Sequence, residues 1–286
     1  MSAMRSLLVF VHINKTAGTT VRHILRSSYG ARHADVEPWH GAWEDPPFST
    51  PDLRRVRKLY PNLASIAGHR VTGYSDLEEP GTDLGYVTFL REPISMCASR
   101  FQYQLDYRKK ERVFEEWIRN GWVRDAQTQR IGGTANVNDA VAMIDKKDMF
   151  VGLTERFEES MVLLKALRAP DLDIRYERVN VAKSSKVAKD LLSDPAMRQM
   201  IVDATQADLE LYEYVQRELY PTFQRAFGPS LDDVVAEYGR TPHTFNRRNL
   251  ALYGLKQRIV HRSMLRLYRG RATRGVIGKL LGNSRA

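Results

Sequence analysis

The chain has 286 residues, 43% of them hydrophobic and 27% charged, with a single cysteine, Cys97. That balance allows a buried core, as one large α/β domain or two small ones, and excludes a disulfide framework or a cysteine-based metal site. The formal charge of +10 belongs to one end: Arg247 to Ala286 holds eleven Lys and Arg and no Asp or Glu, leaving 33 of the 44 basic residues against 34 acidic ones in the rest.

The first apolar run starts close enough to Met1 to leave no room for a signal peptide, and no run approaches a membrane span, so a cytoplasmic protein is expected. That run, Leu7-Leu8-Val9-Phe10-Val11, is unbroken, rich in β-branched side chains and contains an aromatic one, the mark of a strand buried on both faces in a parallel sheet. A polar loop follows, His12-Ile13-Asn14-Lys15-Thr16-Ala17-Gly18-Thr19-Thr20, and then Val21, Ile24 and Leu25 at helical spacing. Strand, short loop and helix start present free backbone N–H groups and the positive end of a helix dipole, which suits a phosphate. The loop is not a Walker A motif, because Lys15 precedes Gly18 and no earlier glycine stands in the loop, which disfavours a nucleoside triphosphate.

Gly30 is placed to close the first helix. Residues 31–62 read as an irregular, proline-rich excursion carrying Trp39, His40 and Trp43, either a pinned surface segment or an acceptor-binding loop. A short strand over Leu63–Ala67 ends at Gly68 and His69, and in an open α/β sheet ligands bind beyond the carboxyl ends of the strands. His69 is therefore placed like a site residue, and an imidazole that titrates near neutral pH suits proton transfer, although a lone histidine is more often structural or merely exposed. Gly85–Leu90 is a second buried-type strand; it runs into Arg91, Glu92 and Pro93, and a helix then carries Ser95, Cys97, Ser99 and Tyr103. Arg91 at the strand end and Ser99 two turns into the helix offer a planar fork and a neutral donor to a phosphate; pairing of Arg91 with a carboxylate is the competing reading.

Three further stretches are less diagnostic. Phe150–Phe157 reads as a strand that turns into a helix, with Thr154 a plausible N-cap and Phe157, Met161, Leu164 and Leu167 on the buried face, and a helix around Asp203–Leu219 presents Ala204, Leu211, Val215 and Leu219 to the core. Lys183 and Lys186 lie in a basic polar loop. Beyond Pro242, Leu252, Leu255, Ile259, Val260, Met264, Leu267 and Tyr268 alternate with Lys256, Arg258, Arg262, Arg266 and Arg269 in a basic amphipathic helix broken near Gly270. Such a helix suits an anionic membrane surface or an acidic partner, or simply caps the domain with its arginines in solvent; nucleic acid is not expected, because no binding motif accompanies the charge.

Two of these stretches together resemble the sulfotransferases that use 3′-phosphoadenosine 5′-phosphosulfate (PAPS), particularly the carbohydrate enzymes of the heparan sulfate 2-O- and 6-O-type. The first loop is similar to their H-x-P-K-T-A-G-T-T segment, with Asn14 in place of the proline, and Phe89-Leu90-Arg91-Glu92-Pro93 to their F-L-R-E/D-P block. Gly68-His69 resembles the G-H pair whose histidine is the family's candidate base, and Gln127-Thr128-Gln129-Arg130 a Q-T-R block interrupted by Gln129. The resemblance covers about residues 5–225 and implies an α/β, P-loop-like three-layer domain with a central parallel sheet flanked by helices, over residues 1–240, followed by a basic helical extension at 241–286.

It further implies transfer of a sulfuryl group from PAPS to a hydroxyl of a glycan or glycolipid, with no metal. Lys15, Thr16, Ala17, Gly18, Thr19 and Thr20 would hold the 5′-phosphosulfate, Arg91 and Ser99 the 3′-phosphate with help from Lys183 or Lys186, and His69 would take the acceptor's proton. A nucleotide-dependent kinase of related topology, or a nucleotide-fold protein that binds membrane or acidic partners without turnover, are the alternatives.

Overall fold

The computed structural model describes residues 7–39, 46–108, 113–119, 123–177 and 186–268. Its centre is a five-stranded sheet made of β1 (Leu7–Val11), β2 (His33–Asp35), β3 (Ser65–Gly68), β4 (Leu84–Leu90) and β5 (Phe150–Leu153). The strand order is β2-β3-β1-β4-β5 and every pairing is parallel, with Val9 opposite Ile66 on one side and Tyr86 on the other. Parallel strands need covered crossovers, and helices flank the sheet in a three-layer α/β arrangement. All five residues of β1 are buried, which is why that strand reads as an unbroken apolar run.

The crossovers begin with α1 (Gly18–Tyr29), which Gly30 closes at φ 54°, and α2 (Thr50–Leu59). Between β4 and β5 lie α3 (Pro93–Arg108), α4 (Phe114–Arg119), α5 (Ala126–Gly132) and α6 (Val137–Lys146). After β5 come α7 (Phe157–Leu167), α8 (Lys186–Ser193), α9 (Pro195–Ala204), α10 (Gln206–Tyr214), α11 (Tyr220–Phe227), α12 (Leu231–Arg240) and α13 (Arg247–Leu255). A π turn at Val215–Leu219 joins α10 to α11, and a second at Lys256–His261 extends α13. Cys97 is a packing residue: fully buried, it joins Ile94, Phe101, Phe114, Trp117 and Ile201 in a satellite core that seats α3 on α4 and α9. Among the described residues no helix is long and apolar enough to cross a membrane.

Three details differ from the sequence reading. Residues 31–62 are not wholly irregular: they hold β2 and α2, and α2 starts at a Ser49/Asp52 capping box in which the Asp52 carboxylate accepts from the Ser49 N–H and Oγ–H. Thr154 caps nothing; it opens a short 3₁₀ turn, Thr154–Arg156, and its buried Oγ1 has no hydrogen-bond partner. The helix expected through Asp203–Leu219 is two, broken at Thr205. His40, Trp43, Arg269 and Gly270 lie outside the described residues, whereas Trp39 is buried, its backbone N–H donating to the Asp52 carboxylate at 3.0 Å.

Beyond the last helix of the α/β layers, α13 returns to the sheet edge. Tyr253 donates to the Asp35 carboxylate at the end of β2, Gln257 donates to the Asp35 carbonyl at 2.7 Å, and Asn249 donates to the carbonyls of Ser27 and Ser28 at 2.8 and 2.9 Å, closing the end of α1.

Gly68 ends β3 where a Cβ would stand 2.2 Å from the Val36 carbonyl oxygen, a backbone atom that cannot move aside without shifting the chain after β2. Gly68→Ala is expected to lower unfolding stability by roughly 2 kcal/mol, read as a shifted urea midpoint; an unchanged midpoint contradicts this packing.

Candidate active site

The carboxyl ends of β1, β3 and β4 deliver Lys15, His69 and Arg91 to the same edge of the sheet. The chain leaves β1 for β2 and β3 on one side and then crosses to β4 on the other, so the ends of β1 and β4 flank the point where strand order reverses, the usual ligand crevice of open α/β sheets.

The loop after β1 is held in an unusual backbone conformation. Lys15 and Ala17 both take left-handed φ values, 69° and 58°, among only four non-glycine residues to do so in the described chain. Each such residue costs about 1 kcal/mol, strain that collects where a loop is shaped for a ligand. The loop is pinned from below by Thr16, fully buried, whose hydroxyl donates to the Ile13 carbonyl at 3.1 Å. The Thr20 N–H is taken by the Ala17 carbonyl at 2.9 Å, so Thr20 retains only its hydroxyl for a ligand. The N–H groups of Thr16, Ala17, Gly18 and Thr19 donate to no protein acceptor among the described residues, and they open onto the start of α1. Four unmatched donors at a helix N-terminus fit an anionic group such as a phosphosulfate.

Arg91 closes the other side of this crevice. Its Nη1 donates to the Lys15 carbonyl at 3.3 Å, so the loop after β1 and the end of β4 are in direct contact. No carboxylate pairs with Arg91 among the described residues. Its neighbour Glu92 turns away, capping α3 by accepting from the Ile94 and Ser95 N–H groups at 2.9 and 2.7 Å. The competing reading, an arginine neutralised by a nearby acid, is therefore not what the fold provides. Lys15 lies with Nζ 4.8 Å from the Tyr103 ring centroid on α3, and burial, then the Arg91 charge, lower its pKa. Ser99 sits half-buried on α3, two turns beyond Arg91. Lys186 begins α8, which packs on α3, and Lys183 lies outside the described residues.

His69 is exposed at the rim and lies against His12, the rings stacked with centroids 4.4 Å apart. His12 is buried with Nδ1 unpartnered, and it also touches the loop: a Cβ on Gly18 would stand 2.0 Å from His12 Cδ2 and 2.1 Å from Nε2, so only glycine fits there. Burial first, then the charges of His69, Arg22 and Arg130, push the His12 pKa well below its usual range. Desolvation and the same two arginines lower that of His69, which leaves a neutral ring able to accept a proton at pH 7. Arg130 donates to the His69 carbonyl at 2.5 Å, which gives the interrupted Q-T-Q-R block a place at the rim.

Sequence reasoning did not find what supports Arg91. The Gln127 side chain clamps its backbone from both sides, accepting from the Arg91 N–H at 3.0 Å and donating to the Arg91 carbonyl at 2.8 Å. Gln127 is in turn anchored by Asp208 on α10, which accepts from the N–H groups of Gln127 and Thr128 at 3.0 and 2.7 Å and from the Thr128 hydroxyl at 2.8 Å. Complete burial pushes the Asp208 carboxyl up to about 6 against those donors. Nothing in the local pattern signals this chain of contacts, because its partners lie 36 and 81 positions apart.

A cavity of about 610 Å³ opens on the other flank of the loop, lined by Ala17, Thr20, Thr154, Phe157, Tyr176 and Val235 together with Glu155, Glu158, Glu159 and Arg156, the last paired with Glu159 at 2.8 Å. Lys15, His69, Arg91 and Ser99 do not line it, and its three carboxylates outnumber the one cation, Arg156.

The fold and this site together define an α/β protein of P-loop-like topology whose anion loop departs from the Walker A pattern. Its sequence is similar to galactose-3-O-sulfotransferase 3 from Bos taurus, 29% identical over 215 residues, or 63% of this chain and 50% of that protein. The proteins of the same name from Mus musculus and Homo sapiens are 28% identical over 65% and 63% of the chain. These matches support the carbohydrate sulfotransferase resemblance carried by the two motifs, through galactose-directed relatives rather than heparan sulfate 2-O- or 6-O-type ones. The chain spans about half the length of these relatives. No family model matches it.

The buried rings set a pH dependence. An unfolded histidine titrates near 6.5 and His12 in the fold well below, so between those values the unfolded chain binds more protons and stability decreases as the pH is lowered. The thermal midpoint should therefore drop below pH 6.5, and less steeply in His12→Gln; parallel curves for the two proteins between pH 8 and 5 would show that His12 does not carry this linkage.

Proposed function

We propose that this chain is a sulfotransferase that moves a sulfuryl group from PAPS to a hydroxyl of a carbohydrate or glycolipid acceptor. The observation that carries the reading is the contact between the Arg91 guanidinium and the Lys15 carbonyl, which brings two phosphate-type motifs into one crevice. A nucleotide with phosphate at both its 3′ and 5′ positions asks for two such groups. The name of the relatives makes a galactose-bearing glycan the first acceptor to test.

In this reading the loop N–H groups of Thr16 to Thr19 and the hydroxyls of Thr19 and Thr20 hold the 5′-phosphosulfate. Arg91 and Ser99, with Lys186 or Lys183, hold the 3′-phosphate. The acceptor oxygen bonds to sulfur as the bond from sulfur to the 5′-phosphate oxygen breaks, and 3′,5′-ADP leaves. His69 takes the hydroxyl proton, and its stacking on His12 fixes the ring plane. Lys15 donates to the bridging oxygen as negative charge gathers there, with Tyr103 limiting where its amine can point. Catalysis of this kind is mostly alignment and charge stabilisation, as in phosphoryl transfer. The kinase alternative lacks its own loop, since no glycine precedes Lys15 between it and β1.

Transfer of radiolabelled sulfate from PAPS to galactose-terminated glycans tests this. Lys15→Ala is expected to lower kcat by roughly 100- to 1,000-fold with the unfolding midpoint nearly unchanged, His69→Ala by roughly 100-fold, and Arg91→Ala to raise the KM for PAPS by roughly tenfold or more. A Lys15→Ala protein with most of its activity removes the mechanism.

A further inference from the structure

The helix that continues α13 through the π turn to Tyr268 has a four-residue repeat. An i→i+5 turn widens the spiral, so positions four apart stack on one face instead of drifting round it. One row faces the domain: Tyr253 on Asp35, Gln257 between Asp35 and Tyr60, His261 beside the rings of Trp39 and Tyr60, and buried Leu265. The row one position on is Arg258, Arg262 and Arg266, all exposed and in no ion pair among the described residues. The two rows opposite are mostly apolar and open to solvent: Leu255 (59% exposed), Ile259 (61%) and Leu267 (58%), interrupted by Ser263, and beside them Leu252, Val260 and Met264 (42%, 38% and 43%), in a row whose Lys256 and Tyr268 turn back onto Tyr60 and Trp39. Six large apolar side chains on one helix, beside a continuous basic edge, form a surface that a water-facing helix does not need.

We infer that this face is a docking surface for an anionic lipid bilayer. The polar row is already used against the domain, so the apolar rows are free to enter the headgroup boundary while the arginine row lies level with lipid phosphates. Charge complementarity selects this occupant over a second copy of the chain: an apposed copy would bring two arginine rows together with no acidic residue from Arg247 to Ala286 to answer them. The surface lies outside the proposed active site and does not depend on the sulfotransferase reading.

Sedimentation of the full chain with vesicles tests it without any activity measurement. The protein is expected to sediment with phosphatidylglycerol–phosphatidylcholine vesicles and not with phosphatidylcholine alone, and to be released by salt. The triple variant Arg258→Gln, Arg262→Gln, Arg266→Gln should lower the partition coefficient roughly 100-fold. The triple variant Leu255→Ser, Ile259→Ser, Leu267→Ser should lower it by roughly tenfold or more. Because these side chains face solvent, both variants should keep the wild-type thermal midpoint. Wild-type protein that stays in the supernatant with anionic vesicles overturns the inference, as does equal binding by the apolar variant, or a wild-type dimer that the serine variant converts to a monomer without any vesicle binding.

Discussion

The contact on which the site depends is the one between the Arg91 guanidinium and the Lys15 carbonyl. It exists because β1 and β4 are adjacent and parallel, in a register that sets Val11 opposite Thr88 and brings both strands to the same edge. A second hydrogen bond, from the Thr88 hydroxyl to the Val11 carbonyl at 2.9 Å, ties the same two strands just before they diverge. Slipping that register by one residue would turn every side chain of β4 to the other face and carry Arg91 away from the loop. Full burial of β1 makes such a slip costly, so the hydrophobic core is what fixes the distance between two charged groups at the surface.

Charge at the site is arranged by desolvation as much as by pairing. Lys15 and Arg91 are held near each other, and part of their mutual repulsion appears as the lowered Lys15 pKa. Two like charges close together are tolerable where an anion is to be bound, because each strengthens the hold on it. Asp35 performs the opposite task at the edge of β2. It accepts from Arg22 at 2.9 Å and from Arg26 and Tyr253, so it neutralises the outer face of α1 and fastens α13 to the sheet. Buried charges are stable when surrounded in this way: burial alone would raise the Asp35 pKa, and His33, Arg22 and Arg26 outweigh it and hold the carboxylate well below its usual range.

Much of the architecture was legible in the sequence, and the reasons are local. An apolar run with no alternation reads as a parallel strand, and β1, β3 and β4 fall where Leu7–Val11, Ile66 and Val87 lead one to look. Lys15, His69 and Arg91 were visible because each follows such a strand directly, and the sheet gathers its strand ends. What was hidden depends on distance along the chain. β2 has three residues, too short for a period to show, and α2 sits among prolines that mask its capping box. The stacking of His69 on His12 joins the residues that directly follow two strands, and neither ring carries a sign of it in sequence.

Support of Arg91 by Gln127 explains how an arginine can be positioned without being neutralised. A carboxylate partner would orient the guanidinium but would also compete with a phosphate for it. An amide that holds the backbone leaves all five guanidinium donors to the side chain's own partners. The amide must itself be immobile, and Asp208 makes it so by fixing the first turn of α5 with three hydrogen bonds in a dry setting. The positional information thus runs from α10 through α5 to the end of β4, while the charge at that end stays available for a ligand. Glu92 fits the same logic: by capping α3 it removes the nearest acid from the site and uses its charge against the helix dipole instead.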